Sequence, residues 1–295
     1  MRRKLGFRLF RLYLALLSGA YSYLGRLRVS ATFKLGPKYL YKPRPDDVFI
    51  ATYPKSGTTL VQMLLYQMTT DGAMDFQHID SVSPWFEQEL VKGNPARWEE
   101  LPSPRFFKTH FRPHMLPPTA KFIYVLRDPG DVAISAYHHQ RMMLGSDVPI
   151  EPAIDRFVDD RGSFLGSWFR HVEAWWPHRK DPNVLFLRYE DIITDLEETA
   201  RRVAAFCSIL VDEPAMPRIL ERCSVAFMKE HNAKFDPRLH QVSRSRAEFI
   251  RKGQAGAGTR EMTASQQERL EARVRDLEQR LGCTAEEPIR ERAGR

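Results

Sequence analysis

The spacing of apolar residues changes repeatedly along this chain, and each change marks an element. Val48 to Thr52 is a short apolar run of β-favouring residues, and Leu60 to Met68 carries apolar residues at helical spacing. Between them lies the polar turn Lys55-Ser56-Gly57-Thr58-Thr59. Phe106 to Thr109, Lys121 to Arg127 and Val184 to Tyr189 read as further buried strands, and Pro129 to Met143, Ser163 to Trp176 and Asp191 to Phe206 as helices. Strand alternating with helix implies an α/β domain with a parallel sheet covered on both faces and ligands at the carboxyl ends of its strands. The pattern predicts one such domain over residues 43 to 282 and a polar tail over 283 to 295. Thr263 to Leu281 reads as a polar amphipathic helix with a solvated face.

The candidate chemistry sits at those strand ends. At the turn after the first strand, a helix N-terminus presents unpaired backbone N–H groups and the positive end of its dipole. Gly57 permits close approach, and Lys55, Ser56, Thr58 and Thr59 add donors, so the turn reads as an anion cradle. A Walker A loop has its Lys after the second Gly, whereas Lys55 precedes the only Gly here, so the segment does not match a nucleoside-triphosphatase loop. Lys108 and His110 are two apart on a strand and point to the same side, so one pocket can hold both. Arg127 ends a strand, Asp128 can cap the next helix with Pro129 at its first position, and Ser135 lies almost two turns up on the same face. Arg127 and Ser135 can therefore grip one phosphate, an ion pair of Arg127 with Asp128 or Asp131 being the alternative.

TYPKSGTT at the first turn, FFKTHF from Phe106, IYVLRDPGDVAISAYHH from Ile123, LFLRYEDI from Leu185 and FIRKGQAG from Phe249 follow one another in the order found in the cytosolic-type sulfotransferases. From residue 46 to about 270 the chain resembles that family. The resemblance implies a P-loop-containing nucleoside triphosphate hydrolase-like three-layer α/β/α fold with a central parallel sheet. It also implies transfer of a sulfuryl group from 3′-phosphoadenosine 5′-phosphosulfate to a hydroxyl of a small, hydrophobic acceptor. His110 is then the general base, with Lys55 on the donor's bridging oxygen and Lys108 on the sulfuryl oxygens. Lys55, Ser56, Gly57, Thr58 and Thr59 take the 5′-phosphosulfate, Arg127, Ser135, Arg251, Lys252 and Gly253 the 3′-phosphate, and Tyr189, Ser224 and Met228 the adenine. Three positions depart from the family pattern. Leu60 and Val225 replace its aromatics, and Ala257-Gly258 stands where it has an acidic residue and Trp. The acceptor pocket is expected from Phe76 to Trp98 and Met142 to Phe164, and TREMTASQQE from Thr259 sits where the family carries a dimer motif, leaving oligomeric state open.

Charge and cysteines narrow the setting. The formal net charge is +8, which suits a polyanionic small ligand, an anionic membrane or nucleic acid alike. No RNA-binding aromatic block, zinc-finger spacing or long basic run appears, so nucleic acid is not expected. Cys207, Cys223 and Cys283 are far apart without a CxxC pair, and no carboxylate and His cluster has ligand spacing, so a reducing, cytoplasmic setting and no metal are expected. Residues 1 to 28 are basic and aromatic around the uncharged run Leu12 to Gly25, too short for the roughly 18 residues of a spanning helix. Three readings of this segment stay open: a helix packed on the domain, a peripheral membrane anchor and a cleaved signal. The functional alternatives are a nucleotide kinase of related fold, which should carry a GK[ST] pair, and a membrane-peripheral anion-binding adaptor, which needs neither Lys108 nor His110.

Overall fold

β1 (Val48–Thr52), β2 (Phe106–Thr109), β3 (Lys121–Leu126) and β4 (Val184–Arg188) form one parallel sheet in the order β2-β1-β3-β4. The computed structural model describes residues 29–93, 96–144, 149–161, 166–237, 248–251, 253, 255–256, 258–284 and 287–290. The basic segment 1–28 and Lys252 lie outside them. Helix α1 spans residues 29–39, followed by α2 (Thr58–Thr69), α3 (Ile79–Val82), α4 (Phe86–Lys92), α5 (Ala96–Glu99), α6 (Pro129–Leu144) and α7 (Ile150–Val158). The chain continues through α8 (Trp168–Trp175), α9 (Tyr189–Thr194), α10 (Leu196–Cys207), α11 (Met216–Cys223), α12 (Val225–Glu230) and α13 (Ala264–Arg280). Among the described residues no helix is long and apolar enough to cross a membrane.

Alternation along the strands divides the core into two layers. Phe49, Phe107, Phe122 and Tyr124 face one side and pack with Trp98, Trp168, Trp175 and Trp176, which makes those tryptophans core residues. Val48, Ile50, Ile123 and Leu187 face the other, under α2, α10 and α11. At about 25 cal/mol per Å2 of apolar surface, each buried aromatic contributes a few kcal/mol, so the two layers hold the sheet between the helices. The register pairs Thr52 with Val125 and Leu126 with Arg188, which aligns the carboxyl ends of the strands along one edge.

The strands coincide closely with the apolar runs, and the helices differ in instructive places. α8 starts only at Trp168, because the Ser167 hydroxyl accepts from the Arg170 N–H and caps it there. The helix expected over Asp191 to Phe206 is two: Asp195 accepts from the Glu198 N–H and starts α10 afresh instead of continuing α9. α13 begins with a capping box in which Thr263 and Gln266 bond each other's backbone. The tail beyond residue 283 is more than polar surface. Ile289 is buried in the first core layer, Arg188 donates to the carbonyl of Ile289, and Arg290 Nε bonds Asp128 at 2.6 Å.

Candidate active site

The turn after β1 has the geometry of an anion cradle. Lys55 and Gly57 have φ of 72° and 97°, a left-handed region that bends the chain sharply into α2. A Cβ on Gly57 would lie 2.6 Å from the Tyr189 ring, so only Gly fits. No side chain caps α2 and no acidic residue occupies its first turn, so its positive end stays unneutralised. Thr58 Oγ1 meets Thr52 Oγ1 at 2.6 Å, and Ser56 is buried with its hydroxyl unpartnered among the described residues. A hydroxyl placed there can donate to a ligand oxygen.

Four cations from four segments converge on a cleft of about 510 Å3 whose lining includes Lys55, Lys108, Arg127 and Arg251. Lys55 Nζ lies 4.3 Å from the Phe249 ring centre and Lys108 Nζ 4.8 Å from that of Trp85. Burial first, and then the charges of Lys108, Arg127 and Arg251, bring the Lys55 ammonium down to about 7. Arg127 donates to the Lys55 carbonyl at 2.9 Å, stacks 4.2 Å from the Tyr189 ring centre and approaches Asp131 at 3.8 Å, one of the two carboxylates weighed from sequence. Asp128 caps α6 by accepting from the N–H groups of Gly130 and Asp131, as expected. Ser135 then lines the same cleft from the next turns of α6.

His110 is fixed by its ring and by its backbone. Its Nδ1 lies 2.9 Å from the Thr52 carbonyl, which can only accept, so Nδ1 carries the proton and Nε2 keeps a lone pair. Burial, and next the Lys108 charge, pull this imidazole down to about 3. The His110 N–H donates to Glu87 Oε1 at 2.5 Å, and the Thr109 hydroxyl donates to the same oxygen at 3.1 Å. Glu87 itself is buried and is raised to about 7 by that burial. Trp85 and Glu87 enter from α4 and the bridge that Trp85 makes to Lys108. Behind His110 and Phe111 lies a second cavity of about 520 Å3, bordered also by Tyr53, Arg112 and His171.

Most of the residues singled out in the sequence meet here. Lys55, Gly57, Thr58, Thr59, Lys108, His110, Arg127, Ser135, Tyr189, Met228, Arg251 and Gly253 all border the cleft. Ser56 lies buried within the turn rather than on that lining. Ser224 is not among the lining residues, and its hydroxyl accepts from the Phe227 N–H as the cap of α12, one residue before the lining residue Val225. Its neighbour Val225 faces the cleft instead and packs so closely on Gly253 that a Cβ there would sit 2.2 Å from Val225 Cγ2. His138 and His139 diverge as expected, one toward Glu261 and the other toward Phe249.

Several residues carried no signal in the sequence. Glu87 sits in an ordinary amphipathic run. Asp131 reads as a helix-start carboxylate, yet it accepts the N–H groups of Gly256 and Gly258 at 2.8 and 2.6 Å and ties the closing loop to α6. The expected acceptor stretch Phe76 to Trp98 contributes His78, Ile79, Asp80, Trp85 and Glu87, but described residues between Met142 and Arg161 do not line the cleft, and residues 145–148 and 162–165 lie outside the description. Phe33, Phe111 and Phe235 supply apolar wall in their place.

Comparison with known proteins gives this geometry a context. The model of the Sulfotransferase domain family matches residues 45–282. Sulfotransferase 1C2 of Homo sapiens is 32% identical over 246 residues, covering 78% of this chain and 82% of that protein. The amine sulfotransferase of Oryctolagus cuniculus is 32% identical over 252 residues, covering 78% and 80%. Among solved structures, mouse sulfotransferase SULT7A1 complexed with PAP superposes with a TM-score of 0.66 at 25% identity, covering 85% of this chain and 90% of that one. Retinol dehydratase in complex with androsterone and the inactive cofactor PAP gives 0.72 at 24% identity, over 86% and 85%.

Proposed function

This chain belongs to the sulfotransferase domain family, and from that premise we propose that it transfers a sulfuryl group from 3′-phosphoadenosine 5′-phosphosulfate to a hydroxyl of a small acceptor, with His110 as the base. The observation that carries the reading is the convergence of Lys55, Lys108, Arg127 and Arg251 on one cleft beside an uncapped helix N-terminus and a neutral imidazole. So many cations in a shared cleft repel one another, as the lowered Lys55 ammonium records, and the arrangement is relieved by a polyanion.

The residues divide the work by position. The donor supplies a sulfuryl group whose bond to phosphate breaks as one to the acceptor oxygen forms. Lys55 and the first turn of α2 hold the 5′ end, where charge grows on the departing phosphate, and Lys108 faces the oxygens in transit. Nε2 of His110 takes the acceptor's proton. An imidazole brought down to about 3 is a weak base, but the causes are burial and neighbouring cations. An anion bound against Lys108 and Lys55 offsets the second cause, so donor binding raises the basicity of His110 just when a base is needed. Arg127, Ser135 and Arg251 read the 3′-phosphate, and Tyr189, Ser224 and Met228 take the adenine side, with Val225 lining the cleft beside them. Lys252, outside the described residues, is kept with the 3′-phosphate group on the family resemblance alone.

The acceptor half, walled by Phe33, Trp85, Phe111 and Phe235, favours a hydrophobic alcohol or phenol. PAP is named with two of the structural relatives, and one of these also holds the steroid androsterone, which fits this wall chemistry. A cytoplasmic setting follows the cytosolic-type relatives, and residues 1–28 are expected to attach to anionic membranes without spanning them. The test is a screen of phenols and alcohols with donor labelled in its sulfuryl group. Label appearing in a sulfate ester, together with binding of adenosine 3′,5′-bisphosphate and none of ATP, supports the reading. ATP-dependent phosphorylation of the same acceptors would replace it with a kinase.

A further inference from the structure

Helix α1 has two unlike faces. On the inner one Phe33 lines the cleft and meets Phe111 edge to face at 5.1 Å, and Gly36 packs against Leu90 of α4, where an added Cβ would lie 2.9 Å from Leu90 Cδ2. On the outer one Leu35 and Tyr39, four residues apart, form a stripe that is 53% and 69% exposed, continued by Leu40 at 40%. Val91, next in sequence to the Leu90 that packs on Gly36, is exposed at 37%. Apart from the solitary Leu210, these four are the exposed large hydrophobics among the described residues, so the outward apolar surface of the domain gathers around one helix.

The charges beside it indicate what covers it. Lys34 and Lys38 form the neighbouring stripe of α1 and are exposed, as is Lys42 just beyond it. The first acidic residue of the chain is Asp46, and residues 1–28 contribute seven Lys and Arg residues and no Asp or Glu. Residues 1–28 carry their cations on both sides of the uncharged run Leu12 to Gly25, so laying that run here sets those cations beside the rim, and a second copy would bring the same cations face to face. Nucleic acid would satisfy the lysines but leave Leu35, Tyr39 and Leu40 unused. An anionic bilayer satisfies both, because its headgroups take the lysines while Leu and Tyr side chains enter the interface.

We propose that the outer face of α1, built on Leu35, Tyr39 and Leu40 and rimmed by Lys34 and Lys38, is a docking surface for anionic membranes. The inner face of the same helix bears Phe33, so docking holds the acceptor half of the cleft beside the bilayer, where hydrophobic alcohols dissolve. The surface stands apart from the sulfuryl-transfer reading: Leu35 and Tyr39 do not border the cleft, and the docking is read by vesicle binding alone.

The test uses the full chain with vesicles of phosphatidylcholine, with and without phosphatidylglycerol. Binding to the anionic vesicles and not to the neutral ones is expected, weakening as salt is raised. The double variant Leu35→Glu/Tyr39→Glu should lower the partition at least about tenfold, and Lys34→Gln/Lys38→Gln should lower it and flatten its salt dependence. Nucleotide affinity unchanged in both variants certifies that the domain is folded. Three results overturn the proposal: no association of the full chain with anionic vesicles, association that the Leu35→Glu/Tyr39→Glu variant leaves intact, or a self-association in solution that this variant abolishes.

Discussion

Buried charge lies at both ends of the sheet, and the two ends treat it in opposite ways. Where β1 and β2 begin, Asp47 and Arg105 are fully buried, and Arg105 Nε and Nη2 bond the two carboxylate oxygens at 2.6 and 2.7 Å. Tyr41 and the Arg44 N–H also donate to Asp47, while Arg105 donates further to the carbonyls of Lys42 and Trp98. Every charge there has its partner inside the chain. Where the same strands end, Lys55, Lys108, Arg127 and Arg251 surround a cleft, the Ser56 hydroxyl has no partner among the described residues, and the carboxylates that Arg127 and Arg251 approach, Asp131 and Glu261, stand off at 3.8 and 3.6 Å, while Glu87 accepts the His110 N–H. A satisfied pair fixes structure, and an unbalanced group of like charges leaves binding energy for a ligand.

Removing one partner at the satisfied end should give the largest effect. Asp47→Ala strands a buried guanidinium and is expected to lower unfolding free energy by about 3 to 5 kcal/mol, read by urea denaturation. A loss under about 1 kcal/mol, the value of a surface pair, would erase the contrast between the two ends.

At the unbalanced end the same kind of deletion should spare stability and affect chemistry. His110→Ala is expected to lower turnover by roughly 100-fold or more while leaving adenosine 3′,5′-bisphosphate affinity nearly intact, the usual scale for loss of a general base. Turnover equal to that of the wild type with phenolic or alcoholic acceptors would remove His110 from the mechanism.

Arg127→Ala sharpens the comparison, since it deletes a cation proposed to read the 3′-phosphate. Each charge-assisted hydrogen bond lost is worth about 1.5 to 3 kcal/mol, or roughly 10- to 150-fold in affinity. Calorimetry should show that loss for adenosine 3′,5′-bisphosphate and almost none for adenosine 5′-monophosphate. An equal loss for both would mean that Arg127 does not read the 3′-phosphate.

The smallest effect is a proton count. Lys55 titrates near 7 in the free protein, so it is charged below that pH and largely neutral above it. A bound anion favours the ammonium and raises its pKa, so the complex holds more protons than the free protein above pH 7. Binding of adenosine 3′,5′-bisphosphate at pH 8, where the ligand's phosphates are already ionised, should take up close to one proton, with affinity falling as pH rises from 7 to 9. Calorimetry in buffers of different ionisation enthalpy measures this. No uptake at pH 8 would place Lys55 outside the charge group that the ligand relieves.

Local sequence determined the sheet and the positions of the site. Val48–Thr52 and Phe106–Thr109 are strands because their apolar runs are short and buried, Lys108 alone being part-exposed, and the turn between Tyr53 and Thr58 follows from a left-handed Gly57 and a helix pattern directly behind it. The alternation of strands with helices by itself places the motif residues at the carboxyl ends. Lys108, His110, Arg127 and Ser135 were legible for the same reason, since periods of two and of 3.6 fix which side chains share a face.

What the sequence left open depends on contacts between segments far apart in the chain. Glu87 matters because α4 sets it beneath the His110 N–H, 23 residues away in sequence, and Asp131 because the closing loop lies 125 and 127 residues further along. That Ser224 caps α12 likewise depends on the helix start forming behind it, where the free N–H groups offer its hydroxyl a partner. The depressed imidazole of His110 and ammonium of Lys55 also belong to the assembled fold. Both follow from burial together with cations brought from other strands and loops, and neither burial nor convergence is written in any local pattern.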